Sequence, residues 1–238
     1  MQPYFFPYLG HFALIASCDQ WVVFDVTQYT HRSWISRNRV LHPQKGWNYI
    51  NVPLSNGSTS ITIADARVAD FNGTRDSLLG RISHYRRPAP YYREVVALVE
   101  RVFQVPCESL VELDMRSLSE VCSYLGIAWS ARRASSVELD AAAIEHAGQW
   151  APRISQALGA SEYLNPLGGA AIFRREDFDA AGVRPAFLAF EAPVYDTGRY
   201  AFEPNLSILD VLMWNDPAQA RAMIDRHATV LDGGAILN

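Results

Sequence analysis

Lysine is almost missing from this chain. Lys45 is the only one among 21 basic residues, so nearly all positive charge is guanidinium. That bias suits bidentate anion binding, and a GC-rich genome would produce it equally well. Cysteine is scarce: Cys18, Cys107 and Cys122 form no CxxC pair, which excludes a disulfide framework and a zinc knuckle and favours a reducing compartment. The six histidines never fall into HxxxH or HExxH spacing, so no dedicated metal site is expected. GxSxG, GxxxxGK[ST] and GxGxxG are all absent, which removes the nucleophile elbow, the P-loop and the usual dinucleotide fingerprint. No apolar run reaches the roughly 18–20 residues needed to span a bilayer. Residues 1–17 carry no basic n-region of a signal peptide. Membrane insertion is therefore not expected, and the cytoplasm is the expected location. Excess positive charge is lacking too: a net charge of −4 provides no broad field for nucleic acid, which is not an expected partner.

What remains is the composition of a folded protein, 238 residues with 49% hydrophobic and 19% charged. The opening MQPYFFPYLG is stiffened by Pro3 and Pro7 into an extended, turning segment. A helix is expected from about Gly10 to Ser17, then a buried strand in WVVFDV at 21–26. WNYINVPL (47–54) and ITIADARV (61–68) read as two strands of a hairpin. From Thr74 to Leu125 the pattern is helical, and its last helix is stopped by Gly126 with Cys122 on the buried side. IAWSARRASS suggests another strand. A long helical stretch with Pro152 near its middle follows, then a short strand in SEYLNPLGG, a helix and strand in EDFDAAGVRPAFLAFEAP, and a closing helix, AQARAMIDRHATV. Alternating strands and helices predict an α/β fold with a mostly parallel, Rossmann-like sheet. The expected organisation is an N-terminal α/β half over 1–73, a helical insert over 74–126 and a C-terminal α/β half over 127–238.

Four stretches carry more polar, aromatic and Gly/Pro character than a core requires. In the first, Gln2 and Tyr4 precede Gly10 and His11 at a helix entrance, where backbone N–H groups and a His donor suit an anion. A packed aromatic arm would look the same. In the second, Asp25 ends a strand and Gln28, Tyr29, Arg32, Trp34, Arg37, Asn38 and Arg39 crowd behind it. Arg37 and Arg39 share one face if extended, a two-guanidinium clamp for phosphate or carboxylate. Surface ion pairing is the plainer use of such residues. In the third, Asn165, Gly168 and Gly169 suit a backbone amide nest, and a strand-to-helix loop explains them as well. In the fourth, Ser207 and Asp210 have capping-box-like spacing, with Asp210 also available as a polar contact.

Taken in order, MQPYFFPYLG, VVFDVTQY, RSWISRNR, GWNYINVPL, YLNPLGG and FEPNLSILDVLMWN make the chain similar to the WbqC-like protein family. The resemblance implies a bacterial cytoplasmic protein of surface-polysaccharide (O-antigen-type) biosynthesis, and a short apolar strand ahead of the QPYFFPY segment. His11 departs from the Tyr or Phe that the family places after that glycine. A fainter resemblance links PYLGHFALIASCDQWVVFD to nucleotidylyltransferase-type folds, with Tyr8 where their first motif histidine stands. The reading that follows is a transferase that moves an acyl, aminoacyl or nucleotidyl group on a nucleotide-activated sugar. Asp25 and His11 are its catalytic residues; Gln2, Tyr4, Gln28, Tyr29, Arg32, Trp34, Arg37, Asn38, Arg39, Asn165, Gly168, Gly169 and Asp210 bind substrate. The sequence leaves the cofactor open, and a homodimer is one arrangement it allows. The rival reading is a non-catalytic sugar- or partner-binding subunit, with the aromatics as a stacking platform or an interface.

Overall fold

A computed structural model describes residues 1–237. The arm at 1–8 leads into α1 (Leu9–Ala16) and β1 (Trp21–Val23), one residue earlier and three residues shorter than the sequence suggests. The hairpin is a different one from that expected. β2 (Arg37–Leu41) pairs antiparallel with β3 (Trp47–Asn51), closed by a turn in which His42 N–H donates to the carbonyl of Gly46, whose φ is 72°. Residues 61–68 form no strand. Their end meets residue 54 in a single antiparallel Leu54–Val68 bridge, and their middle is tied to the segment after β1, by Ile63 N–H to Thr27 O and Ala64 N–H to Asp25 O.

Three helices follow: α2 (Phe71–Ile82), α3 (Tyr92–Val102) and α4 (Leu110–Leu125). Their ends obey local rules. Asp70 and Ser109 accept from the backbone N–H three residues on, and Gly126 terminates α4 in the left-handed region at φ 65°. Cys122 is buried as its spacing predicts. β4 (Ala131–Arg133) then pairs parallel with β1.

The long helix expected around Pro152 is mostly turns of 3-10 helix, and only α5 (Trp150–Ala157) is α-helical. Pro152 falls in its first turn, where a missing N–H is harmless, so it begins the helix rather than bending it. β5 (Glu162–Pro166), α6 (Arg175–Ala181) and β6 (Arg184–Phe190) form a parallel crossover. α7 (Ile208–Trp214) and α8 (Pro217–His227) close the helical set, α8 opening on an Asp216–Gln219 capping box with Pro217 at its first position. The closing helix stops at His227. The β-branched run after it becomes β7 (Ala228–Asp232), antiparallel to β6.

The class is thus mixed α/β, but the parallel pairings stand in separate small sheets, β1–β4 and β5–β6–β7, rather than in one Rossmann-like sheet. Met1 extends the first of them. Its nitrogen donates to Val22 O at 2.9 Å and its carbonyl accepts from Phe24 N at 2.8 Å, the pattern of a parallel neighbour of β1. One large core joins residues from α1, β1–β3, α2–α4, α7 and α8, while Phe178, Val183, Phe187 and Leu237 form a smaller one beneath β6. No helix among the described residues is long and apolar enough to cross a membrane.

Inside the helical block, α4 carries an unusual residue. Asp114 is fully buried and neither carboxylate oxygen has a hydrogen-bond partner, so burial pushes its carboxyl well above the ordinary range. Leucine has the same branching and nothing to desolvate. Asp114→Leu should therefore stabilise the fold by about 1–3 kcal/mol at pH 7, read as a higher urea midpoint at unchanged m value.

Candidate functional site

Alternation along β2 and β3 sends Asn38, Val40 and Ile50 into the core and leaves Arg37 and Arg39 on the outer face with Trp47 and Tyr49. There the guanidiniums and rings close a circuit. Arg37 lies 4.4 Å from the Tyr49 ring centroid and 5.8 Å from that of Trp34. Arg39 lies 5.2 Å from Trp34 and 5.1 Å from Trp47, and Trp47 meets Tyr49 edge-on at 4.7 Å. Such contacts contribute about 0.5–1 kcal/mol each at exposed sites, and they hold planar guanidiniums in fixed orientation. Neither arginine is ion-paired among the described residues, and the Nε of each is buried with no partner. Among the described residues the only hydrogen bond of either guanidinium is Arg39 Nη2 to Asn205 O at 3.3 Å. The charge of both guanidiniums is thus left uncompensated on this surface, the electrostatic condition for holding an anion.

The N-terminal arm supplies the adjoining wall. Two prolines cannot donate, so the arm's carbonyls draw donors from distant chain. Asn38 Nδ2 donates to Phe5 O at 3.1 Å and to Phe6 O at 2.9 Å, Ser207 Oγ to Phe6 O at 2.7 Å, and Ile208 N to Pro7 O at 2.8 Å. Phe6 is held at φ 41° and Asn205 at φ 55°, conformations that cost a non-glycine residue about 1–3 kcal/mol. Between them Tyr4, Pro7, Tyr8, Trp34, Arg39 and Asn205 line a depression of about 340 Å³. Gly10 lets α1 begin there: a Cβ at that position would overlap the Tyr8 ring and stand 2.7 Å from Phe190. Gly10→Ala should cost about 1–3 kcal/mol, measured by urea denaturation.

A second cavity, of about 280 Å³, opens between β1, β5 and α5, and Tyr4 lines both spaces. Phe24, Trp150, Ile154 and Phe173 wall it, with the amides of Gln2 and Asn165 among its polar groups. Asn165 is fixed by its neighbours: its Oδ1 accepts from Tyr163 Oη at 2.9 Å and its Nδ2 donates to Pro166 O at 2.9 Å. Gly168 and Gly169 lie in the 3-10 turn after β5. A Cβ on Gly169 would collide with the Asn165 amide, while Gly168 faces open space.

Several residues marked in the sequence stand elsewhere. Asp25 is fully buried, its Oδ1 accepting from Ser135 N at 2.9 Å and its Oδ2 from Ser135 Oγ at 2.7 Å, so both oxygens serve the turn after β4. His11 is enclosed between Tyr4 and Trp21, at ring separations of 5.4 and 5.0 Å. Burial, aided by the Met1 ammonium, lowers its pKa to about 3 and keeps it neutral. Tyr29 is buried against Ser36 at 2.7 Å. Gln28 is exposed and donates to Thr59 O, and Arg32 is exposed at φ 57°. Ser207 is the N-cap of α7, but it accepts from Leu209 N at 3.3 Å and makes no capping box. Asp210 lies within the core, accepting from Tyr85 and, at 2.7 Å, from Tyr195.

Sequence reasoning missed Trp47, Tyr49 and Trp150, whose places depend on strand register and tertiary packing. It also missed His146 and Asp177 near the second cavity. His146 Nδ1 accepts from Gly148 N at 3.2 Å and its Nε2 faces Asp177 Oδ2 at 3.0 Å, off hydrogen-bond alignment, so neither ring nitrogen is open to a ligand. Among the described residues no group of three or more His, Cys, Asp and Glu side chains gathers as metal ligands.

The chain belongs to the WbqC-like protein family, whose sequence model matches residues 2–222. It is similar to the uncharacterized protein Rv1507c of Mycobacterium tuberculosis, 28% identical over 222 residues that span 92% of this chain and 94% of the relative. No solved structure matches it.

Proposed function

We propose that this WbqC-like protein binds a nucleotide-activated sugar used in bacterial surface-polysaccharide assembly, and transfers an acyl, aminoacyl or nucleotidyl group on it. The observation that carries the reading is the pair of uncompensated guanidiniums, Arg37 and Arg39, fixed within three aromatic rings beside a strained-backbone depression. The arginines take the phosphates, Trp34 stacks on the sugar, and the arm residues Tyr4 and Tyr8 shape the wall. Transfer at such a surface runs on positioning and electrostatics, without a covalent nucleophile. The enclosure of Asp25 and His11 favours a second reading, a binding subunit that leaves its ligand unchanged. Mass-spectrometric turnover with UDP-, GDP- and dTDP-sugars separates the two.

Binding itself is tested by thermal shift with those ligands. A ligand at 1,000 times its Kd stabilises the native state by about 4 kcal/mol. Arg39→Ala should erase that shift while lowering the ligand-free stability by no more than about 2 kcal/mol, since the residue contributes two half-exposed stacking contacts. A shift that survives Arg39→Ala, or none from folded wild-type protein, overturns the reading.

A further inference from the structure

Resting on that reading, we propose that the cavity between β1, β5 and α5 is the nucleobase compartment of the same ligand, with Tyr4 as the partition between base and phosphates. The cavity and the guanidinium depression share Tyr4 and otherwise differ in chemistry. No charged side chain lines the cavity, and the amine of Met1 on its wall is spent on Val22 O with its pKa lowered by burial to about 6, so the cavity does not suit a phosphate. Its walls are flat rings, Phe24, Trp150 and Phe173, with Phe24 and Trp150 meeting edge-on at 5.6 Å, the surfaces against which a heterocycle stacks. Its polar groups are amides. The Gln2 side chain has no hydrogen-bond partner among the described residues, and Asn165 uses one of its two N–H bonds on Pro166, which leaves donors and an acceptor for a base edge.

Position and size agree. The cavity lies between β1 and β5, with Val22 and Phe24 on one side and Tyr163 and Asn165 on the other, and adjoins the guanidinium depression through Tyr4. At about 280 Å³ it falls just below the range of cavities that enclose a whole drug-sized ligand, which suits one ring system rather than an entire nucleotide sugar. An acyl chain would fill the same walls but leave the Gln2 and Asn165 amides unanswered, at a cost in affinity.

Calorimetric titration of inorganic pyrophosphate, UMP, GMP and AMP into wild type, Ala151→Phe and Gln2→Ala tests this. Ala151 lines the cavity from α5, so phenylalanine there occupies the space, and Gln2→Ala provides a second route if that helix does not tolerate the ring. At least one mononucleotide should bind wild type tenfold or more tighter than pyrophosphate. Ala151→Phe should abolish that margin while pyrophosphate affinity stays within twofold, and Gln2→Ala should compress the differences among bases. Mononucleotide binding that ignores both substitutions, with pyrophosphate still bound, overturns the base compartment and leaves the phosphate site standing. If neither pyrophosphate nor any nucleotide binds folded wild type, the nucleotide-sugar reading fails and the base compartment with it.

Discussion

An Asp210→Ala variant should melt roughly 10 °C below the parent, the equivalent of about 3–5 kcal/mol in a chain of this size. The carboxylate is fully buried and is the acceptor for two phenols, Tyr85 and Tyr195, and Tyr85 Oη in turn accepts from Leu41 N at 2.8 Å. Removing it strands two hydroxyl donors in the core, each at a cost of about 1–3 kcal/mol, and leaves a small void. Asp210→Asn keeps the shape and an acceptor and should lose much less. The same residue sets a pH dependence. Burial raises its pKa from 3.8 to about 6 against the opposing pull of the two tyrosine hydrogen bonds. The folded state therefore holds the proton more tightly than the unfolded state. The stability this provides is complete below about pH 4 and is lost as pH rises through about 6, a change of about 3 kcal/mol. The urea-midpoint advantage of wild type over Asp210→Asn should therefore shrink as pH rises from 4 to 7.5; the slope common to both proteins combines Asp114, whose raised pKa acts in the same direction, with His11 and the Met1 amine, whose lowered pKa values act in the opposite one.

Asn38→Asp should be comparably damaging, although it exchanges one nitrogen for one oxygen. The Asn38 amide donates to two carbonyls of the arm and accepts from Arg39 N at 2.8 Å, so it is used at both ends. A carboxylate there would place negative charge against two carbonyl oxygens in a site only 4% exposed. The expected loss is about 3–5 kcal/mol at pH 7, with the arm detached and ligand binding abolished. Lowering the pH to 4.5 should recover part of it, because a protonated carboxyl introduced at position 38 can donate again to Phe6 O. Denaturation curves at the two pH values, beside those of Asn38→Ala, measure the effect. An unchanged midpoint at pH 7 would mean that the arm does not depend on this clamp.

Elements whose causes lie close together in the chain were the legible ones. α4 was readable from its spacing and the glycine that stops it; Arg37 and Arg39 share a face wherever their segment is extended, although the sequence marks no strand over 37–41 and the structure forms β2 there. The rings that hold those arginines were not readable, because Trp47 and Tyr49 become their neighbours only through the β2–β3 register, and ITIADARV looked the better partner for β3. Asp25 and Asp210 show the same limit. Each sits at a position suited to chemistry, but what occupies its oxygens is Ser135, 110 residues away, or Tyr85, 125 residues away. Sequence reveals that a carboxylate is present; only the fold reveals whether it is free.

The clasp from Ser207 to Phe6 spans 201 residues, and it has a consequence in time. At ribosomal rates of about 5–20 residues per second, some 10–40 seconds separate the two halves of this contact during synthesis. Through that interval Phe5 and Phe6, both fully buried in the finished protein, have Trp34 and Asn38 as backbone partners but lack the clasp of Ser207 and Ile208. The wall of the depression is thus closed by the last quarter of the chain. A translation product that ends short of Asn205 carries both arginines but lacks Asn205, Ser207 and Ile208 on the far side of the depression, so unfinished chains hold only one half of it.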